Sequence, residues 1–411
     1  PEAWSDGLNV RMYDGSVWKS FGHEQIMDPP SIRPFTLVPA FTSSGNLVFA
    51  YPGLAAIYAT DGATHQDITR AVGGAYTGGE DDLWNGGSMG RITYFNNGID
   101  VPQAWIDPAL GTPVVDLANW PANTTAKVLR PFKRFLVAYD VTQSGTRNAQ
   151  LIKWSNRADL GSVPDSWDET DPTNRAGEWP LLETAGAIVD ALPLGPVNYI
   201  YKEDAVHTME ETGGTFVFRF LPKFGQLGLL AQRCVKEYQK DDKHVHVFMS
   251  QEDIVMHDGF RPVSLLDDRM RRWYKGRIDP TYASRSFLSP NYAEDEMWAC
   301  IAEAGETYPN LALILNLKDG TTTIREIPNV SHMAWAAFDP NAASTTFDSQ
   351  TIAFDQMVGQ FGQRNFNPGR KRLIMVNPDV SDSQFLLADQ GFDFDGTGFR
   401  AFVERLGLSI A

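Results

Sequence analysis

The chain has 411 residues, of which 51 are acidic and 35 basic, and its formal net charge at pH 7 is −16. This balance argues against a nucleic-acid-binding surface, which needs basic groups to neutralise phosphates, and solubility alone would account for it. Only two cysteines are present, Cys234 and Cys300, which excludes a disulfide framework and predicts two separate buried thiols in a reducing compartment. No run approaches the ~20 apolar residues that span a bilayer, so no membrane span is expected.

A short phrase recurs along the chain: an apolar strand, a turn, a second apolar strand, and then Asp-Gly or Asn-Gly. Each copy predicts a hairpin closed by a residue that tolerates positive φ. Irregular recurrence of such hairpins favours a radial β-repeat over a sandwich. We therefore predict an all-β protein, a β-propeller of about six to seven blades with long inter-strand loops. The copies are residues 47–51 with 56–58 and Gly62, residues 245–248 with 254–256 and Gly259, and shorter versions ending at Gly15, Gly98 and Gly320.

Few other elements interrupt this pattern. Within residues 253–277, Leu265, Leu266, Met270 and Trp273 have mixed three- and four-residue spacing, and residues 267–273 predict one or two helical turns. Residues 161–174 are rich in turn formers and predict a long loop. Pro29, Pro30 and Pro34 stiffen the chain near a possible boundary. The predicted organisation is thus an N-terminal strand segment, residues 1–34, that joins the propeller or a neighbour, followed by the propeller itself, residues 35–411.

The search for chemical motifs is mostly negative. The Gly-rich run 86–90 lacks the lysine of a phosphate loop, and neither a nucleophile elbow nor a zinc-binding helix is present. We expect no catalytic residue, no cofactor, no metal ion and no enzymatic activity. Three weaker groups each allow a functional and an ordinary interpretation. His244, His246 and His257 are either a metal half-site or ordinary strand-face histidines, and residues 393–398 are either a calcium-like loop or a tight turn. Asp165, Asp168, Glu169 and Asp171 either contain a catalytic carboxylate pair or are solvated loop acids.

Several phrases, taken in order, resemble the tail hub or nozzle proteins of short-tailed bacteriophages. The opening phrase runs from Trp4 through Asn9, Val10 and Arg11 to Gly15. Weaker matches follow along nearly the whole chain, at residues 153–156 with Pro164, Trp167 and Gly177, at 199–218, at 224–230, at 253–259 and at 404–408. The start at Pro1 and the end at Ala411 suggest a trimmed or processed chain.

The resemblance implies a virion structural protein that is assembled in the bacterial cytoplasm. Related proteins form a ring, commonly of six copies, below the portal and adaptor. Such a homohexameric ring contacts other tail proteins, extends the tail channel, retains packaged DNA and passes it during ejection without specific binding. The alternative is a carbohydrate-binding or glycan-hydrolysing β-propeller, in which some of the 11 Trp and 13 Tyr would line a sugar groove.

Two basic stretches stand out against the acidic background. They are residues 269–277 and 364–372, and their candidate interface residues are Arg271, Arg272, Lys371 and Arg372. A basic channel wall would brake the passage of DNA, because neutralised phosphates release counterions. We therefore expect these residues to contact neighbouring subunits or acidic partners, with the channel wall acidic or neutral. The alternative is that they lie in ordinary solvated loops.

Overall fold

Seven four-stranded antiparallel sheets follow one another around a central axis and form a seven-bladed β-propeller. A computed structural model describes residues 6–13, 15–159, 161–214, 216–338 and 371–404. The predicted all-β propeller is confirmed, at the upper end of the predicted blade number. In the described residues, helix is limited to α1 (Asp268–Arg277) and one 3₁₀ turn (Ala283–Arg285).

The strands are numbered in chain order. The N-terminal strands are β1 (Asp6–Leu8), β2 (Val10–Tyr13), β3 (Ser16–Lys19) and β4 (His23–Gln25). Blade 1 contains β5 (Val38–Phe41), β6 (Leu47–Pro52), β7 (Ile57–Thr60) and β8 (His65–Asp67). Blade 2 contains β9 (Asn85–Met89), β10 (Ile92–Asn96), β11 (Gln103–Trp105) and β12 (Val115–Asp116). Blade 3 contains β13 (Thr124–Phe132), β14 (Phe135–Gln143), β15 (Thr146–Trp154) and β16 (Gly177–Pro180).

Blade 4 contains β17 (Ile188–Leu194), β18 (Val197–Lys202), β19 (Ala205–Glu211) and β20 (Phe218–Gly225). Blade 5 contains β21 (Val235–Lys240), β22 (Lys243–Met249), β23 (Ile254–His257) and β24 (Pro262–Ser264). Blade 6 contains β25 (Phe287–Asn291), β26 (Glu296–Ile301), β27 (Leu311–Asn316) and β28 (Thr322–Glu326). Blade 7 contains β29 (His332–Ala336), β30 (Arg372–Asn377), β31 (Gln384–Ala388) and β4; the last strand is β32 (Phe402–Glu404).

The core consists of layers between neighbouring blades. Strands such as β6 and β27 are buried along their whole length, because both faces of each sheet pack against another sheet. This explains why they appear in the sequence as continuous apolar runs rather than alternating ones. Between blades 7 and 1, for example, Phe49 and Tyr51 pack with Ile374 and Phe385. Aromatic side chains fill these layers, as where Trp154 meets Phe218 edge to face with ring centroids 5.3 Å apart.

The ring is closed by the N-terminal segment. Strand β4 pairs with β31 and supplies the outermost strand of blade 7, with His23 opposite Ala388. Close approach of the backbone at this joint requires glycine at position 22, because a Cβ atom there would lie 1.6 Å from the carbonyl oxygen of Asp393. Strand β1 pairs with β32, so that the first and last described strands also meet.

A buried ion network, the N-terminal clasp, holds the hairpin β2–β3 on blades 6 and 7. Arg11 donates to both carboxylate oxygens of Glu296, at 2.7 and 2.9 Å, and to Asp389 at 2.9 Å. On its other side Asp389 accepts from Arg325, whose guanidinium group is fully buried and lies over the ring of Trp298. Burial alone would raise the pKa of Asp389, but Arg325 and Arg11 hold it below its ordinary value.

Two local predictions agree with the structure. The predicted helical turns are part of α1, which is capped by the Asp267 carboxylate accepting from the backbone N–H of Met270 at 2.7 Å. Both cysteines are free and buried, and burial raises the pKa of each thiol. In addition, no helix of the described part of the chain has the length and apolar character needed to cross a membrane.

The clasp predicts a large loss of stability on Asp389→Asn. Asp389 has a left-handed φ of 58°, which Asn tolerates, so the change removes charge without adding backbone strain. Arg325 would then be buried beside a neutral amide, and we expect the free energy of unfolding in a urea titration to fall by about 3–5 kcal/mol.

The matched control is Asp159→Asn. The Asp159 side chain is 95% exposed in its ion pair with Arg134, so this change is expected to cost less than about 1 kcal/mol. Equal effects of the two substitutions would contradict the role given to the clasp.

Candidate functional site

The first strand of every blade lines the axis. Because successive strands of a blade are antiparallel and each blade has four, all seven innermost strands begin at one end of the propeller. We call this end face A and the opposite end face B. Phe35 and Trp84 precede innermost strands and lie near face A, whereas Phe41 and Ala336 end innermost strands near face B.

Arg233 spans the axis near face A. It stands just before β21, yet its guanidinium group donates to the carbonyl oxygens of Phe35 and Ser331, both at 3.4 Å, and of Trp84. These carbonyls precede the innermost strands of blades 1, 7 and 2, across the ring from blade 5. Burial lowers the pKa of Arg233 to about 10, and repulsion by Arg130 adds to this effect.

Asp190 anchors the same region. Arg130 holds it in a bidentate pair, with both N···O distances 2.8 Å, and the backbone N–H groups of Arg233 and Ala191 donate to it at 3.1 and 2.8 Å. Burial would raise the pKa of Asp190, but Arg130 and the backbone donors outweigh burial and lower it. Asp190 is therefore an ionised, fully hydrogen-bonded group, and it joins blades 3, 4 and 5.

The loop between β8 and β9 covers face A. Its Glu80 accepts from Arg33 and from the Tyr308 hydroxyl, both at 2.7 Å, and Asp81 pairs with Arg285 at 2.9 Å. Tyr308 and Arg285 belong to blade 6, so the loop reaches from blade 2 across to that side of the ring. Sequence reasoning missed this arrangement and the axial network, because their members are far apart in the chain and form no local motif.

The predicted interface residues fall into two separate regions. Arg271 and Arg272 lie on α1, which connects the outer strand of blade 5 to the inner strand of blade 6 near face A. Lys371 and Arg372 lie where β30 begins, near face B. The two pairs therefore do not form one surface. Arg364 and Arg370 of the second basic stretch lie outside the described residues.

Within each pair, one residue is half-buried and bonded to other side chains of the propeller, and the other residue is exposed to solvent. Arg271 pairs with Asp253 at 3.2 Å and donates to Ser264 at 3.0 Å, whereas the exposed Arg272 donates to the Asp268 carbonyl. Arg372 is half-buried and donates to Gln390 at 3.3 Å. Lys371 is exposed beside an aromatic groove at face B lined by Phe41, Tyr292 and Trp335.

Each of the four carboxylates in the acidic loop has a hydrogen-bond or ion-pair partner. Asp168 and Asp171 each accept from the backbone and hydroxyl of a threonine two residues ahead, which lowers the pKa of both. Glu169 pairs with Lys153 at 2.5 Å, and Asp165 accepts from Asn156 at 2.8 Å. These acids cap turns and fix the loop.

The predicted histidine group contains a hydrogen-bonded chain. Gly259 donates to His257 Nδ1 at 3.1 Å, so His257 Nε2 carries the proton and donates to the Tyr201 hydroxyl at 2.7 Å. Tyr201 in turn donates to His246 Nδ1 at 2.8 Å, and His246 Nε2 donates to the Pro193 carbonyl at 3.0 Å. His244 instead pairs with Glu237. Within the described residues, no group of three or more His, Cys, Asp and Glu is arranged to hold a metal ion.

Two phrases behind the family resemblance have clear structural roles. Asn9 is fully buried in the left-handed region and donates to Glu326 at 2.7 Å, while the next-but-one residue, Arg11, enters the clasp. Trp154 lies directly against Gly177, where a Cβ atom would approach its ring to 2.4 Å. The loop between them is held by Trp167, which packs on Trp120 with ring centroids 4.8 Å apart.

The outer rim of blades 3 to 5 carries exposed aromatic side chains that sequence reasoning missed. Trp179, 48% exposed, lies parallel to Phe220 of β20 at 6.4 Å, and Phe260, 84% exposed, lies 5.7 Å from the Lys223 ammonium group. We call the exposed Trp179 and Phe260, together with the half-buried Phe220 and Phe224, the rim stripe. Strand β20 is an edge strand, and its Pro222 and Lys223 are residues that discourage pairing with a further strand.

These features define the chain as a seven-bladed β-propeller whose axis is crossed by an arginine. No family model matches the sequence, and no curated protein matches it. Among solved structures it is similar to PorZ of Porphyromonas gingivalis, an essential bacterial surface component of the type-IX secretion system, at 10% identity and a TM-score of 0.42. That match covers 94% of this chain, which spans 40% of the length of the PorZ chain.

Two further structures are similar at the same low level. The AfRom2 CNH domain matches at 8% identity over 89% of this chain and 98% of that chain, with a TM-score of 0.48. The computationally designed Ika8 protein matches at 9% identity over 89% of this chain and 99% of that chain, with a TM-score of 0.43. The fold assignment therefore rests on the strand order and register of the chain itself.

The histidine chain predicts a loss of stability in mild acid. Burial lowers the pKa of His246 to about 3 and that of His257 to about 4, against an ordinary value of about 6.5. Between about pH 4 and about pH 6.5, the two histidines bind protons only in the unfolded chain. The free energy of unfolding therefore falls as the pH drops from about 6.5 towards 4. At about pH 5 the chain takes up protons when it unfolds. We expect His246→Asn, which keeps an acceptor for Tyr201, to reduce the number of protons taken up by about one.

The measurement is the slope of the unfolding free energy against pH. The control is His244→Asn, since the His244 side chain is 62% exposed. If the His244 variant changed the slope as much as the His246 variant did, the assignment of the buried chain would be wrong.

Proposed function

We propose that this propeller is a virion structural protein, a tail hub or nozzle subunit of a short-tailed bacteriophage. In this role it forms a ring that extends the tail channel, retains packaged DNA and passes it during ejection. The observation that carries the proposal is the ordered set of family-like phrases, from Asn9 and Arg11 to Trp154 and Gly177. In the fold, those residues anchor the N-terminal clasp and one long loop.

The rim stripe supports an assembly role. Exposed aromatic side chains that lie together on a surface mark contact sites more often than isolated ones do. The rim stripe flanks the outer strand of blade 4. At this position a neighbouring propeller in a ring can cover it. Pro222 and Lys223 discourage pairing of a further strand at this edge. We therefore expect a neighbouring subunit to make contact through side-chain packing.

The axis of the propeller is not the proposed path of DNA. Arg233 and the loop carrying Glu80 occupy it near face A. In the proposed ring, DNA passes between copies, along the axis of the assembly. The chain carries a formal net charge of −16, which disfavours retention of DNA by the wall.

Electron microscopy of the native particle tests this role directly. An antibody against the purified chain should label the tail, and the density there should accommodate several propellers in a ring with the rim stripe at a subunit contact. Absence of the chain from purified particles would exclude the proposal. Reproducible binding or turnover of glycans by the purified chain would favour the carbohydrate-active alternative, for which exposed Trp179 would be the first residue to test.

The four candidate basic residues predict different outcomes. Arg272→Ser with Lys371→Ser removes exposed charges, and we expect ring assembly to fall about tenfold with an unchanged melting temperature. Arg271→Ser breaks the contacts to Asp253 and Ser264, so we expect it to lower the stability of the isolated chain by up to about 1 kcal/mol.

Assembly is measured by analytical ultracentrifugation, and DNA binding of the free chain at low salt is measured in parallel. Lys318→Ser, a change at an exposed hairpin lysine, is the matched control for loss of a surface charge. Tight, salt-sensitive DNA binding that disappears in the Arg272/Lys371 variant would show that these residues face nucleic acid rather than a neighbouring subunit.

A further inference from the structure

A cavity of about 450 Å³ lies inside the ring of innermost strands. Six of the seven blades contribute to its lining through β5, β9, β13, β17, β21 and β29, so the cavity is at the axis itself. Arg233 is part of its wall near face A. Much of the remaining wall is apolar or backbone, and it includes Pro39, Gly87, Pro131 and Leu192.

The charges in this cavity do not balance. Its ionisable lining residues are Arg130, Asp190, Arg233, Lys236 and His332. Asp190 is the sole anion among them, and its oxygens already accept from Arg130 and from two backbone N–H groups. With His332 neutral, three cations face one anion, and the described part of the cavity has an excess of about two positive charges.

Lys236 is the cation of this cavity whose charge still needs an anionic partner. It lies half-buried on β21, and no acidic side chain in the described ranges pairs with its ammonium group. Burial and the neighbouring Arg130 and Arg233 lower its pKa to about 8, so it is still largely charged at neutral pH. An ammonium group surrounded by other cations costs free energy unless an anion joins it.

His332 provides a second donor to the same cavity. The backbone N–H of Leu37 donates to its Nδ1 at 3.3 Å, which assigns the ring proton to Nε2. Burial and the repulsion of Arg233 and Lys236 hold the pKa of His332 well below its ordinary value, so the ring is neutral. A neutral imidazole with Nε2–H is a hydrogen-bond donor, and Lys236 is close enough to influence it electrostatically.

We propose that this axial cavity binds a small oxyanion carrying two negative charges, held by the Lys236 ammonium group and the His332 Nε2–H. A dianion matches the excess of two positive charges. Phosphoryl and dicarboxylate ligands share this chemistry, and both are small enough for the cavity. The site is independent of the tail assignment, since it is built entirely within one propeller.

The test is isothermal titration calorimetry of the full chain with inorganic phosphate and, separately, with malonate. Ionic strength is held constant with sodium chloride, so that general screening does not contribute to the difference. We expect at least one of the two anions to bind, and binding to weaken about tenfold or more in Lys236→Met, because a charge-assisted hydrogen bond is lost. Binding of phosphate alone identifies a phosphoryl ligand, and binding of malonate alone identifies a dicarboxylate.

Two further variants make the result decisive. Lys236→Arg keeps the charge and is expected to retain binding, whereas Lys318→Met removes an exposed lysine elsewhere and is expected to change nothing. Lys236→Met should fold, because it removes a cation that Arg130 and Arg233 repel, and its melting temperature without anion should be equal or higher. Failure of both anions to bind, or equal binding by the Lys236→Met variant, would overturn the proposal.

Discussion

The bond between Asp190 and Arg130 is the constraint on which the centre of this propeller depends. Seven strands converge on one axis, and polar side chains of distant blades must find partners there. Asp190 satisfies two backbone N–H groups and one guanidinium group at once, and one of those N–H groups belongs to Arg233. This carboxylate holds the backbone of Arg233, and the carbonyl oxygens of Phe35, Ser331 and Trp84 hold its guanidinium group across the axis, at the wall of the cavity.

Closure of the ring imposes a second constraint of the same kind. A propeller has no covalent joint between its first and last blades, so the strand exchanged between the termini must be fixed by other contacts. Here β4 supplies the strand, Gly22 permits the backbones to touch, and the clasp of Arg11, Asp389 and Arg325 holds the flanking hairpin. In both places a buried carboxylate accepts from groups that lie far apart in the sequence, either arginine side chains or backbone N–H groups. Each carboxylate therefore favours one specific arrangement of blades.

Local pattern was sufficient to predict the fold, and insufficient to predict the site. Apolar runs such as β6 and turns at Gly62, Gly98 and Gly320 define hairpins by themselves, because strand burial and positive φ are properties of adjacent residues. The blade number was bracketed by dividing the chain length by a typical blade of roughly 40–50 residues, although individual blades differ, from residues 235–264 in blade 5 to residues 124–180 in blade 3. The ionisable groups at the axis gave no signal, since residues 130, 190, 233 and 332 come from four different blades and meet only after the ring has closed. The three histidines were noticed as a group, but Tyr201, which links His246 to His257, comes from another blade.

Burial also changes what the composition implies for nucleic acid. The fully buried charged side chains of the described residues are five cations and three anions, namely Lys153, Lys202, Arg233, Arg285, Arg325, Asp140, Asp190 and Glu296. Within the described residues, the interior therefore withdraws more positive than negative charge from the surface. A propeller that uses its arginines internally, at the axis and at the clasp, leaves an outer surface that repels phosphates. Positive charge at the axis and the acidic composition of the chain are thus two results of one distribution of charge, in which the cations that fix the blades also attract the small anion proposed above.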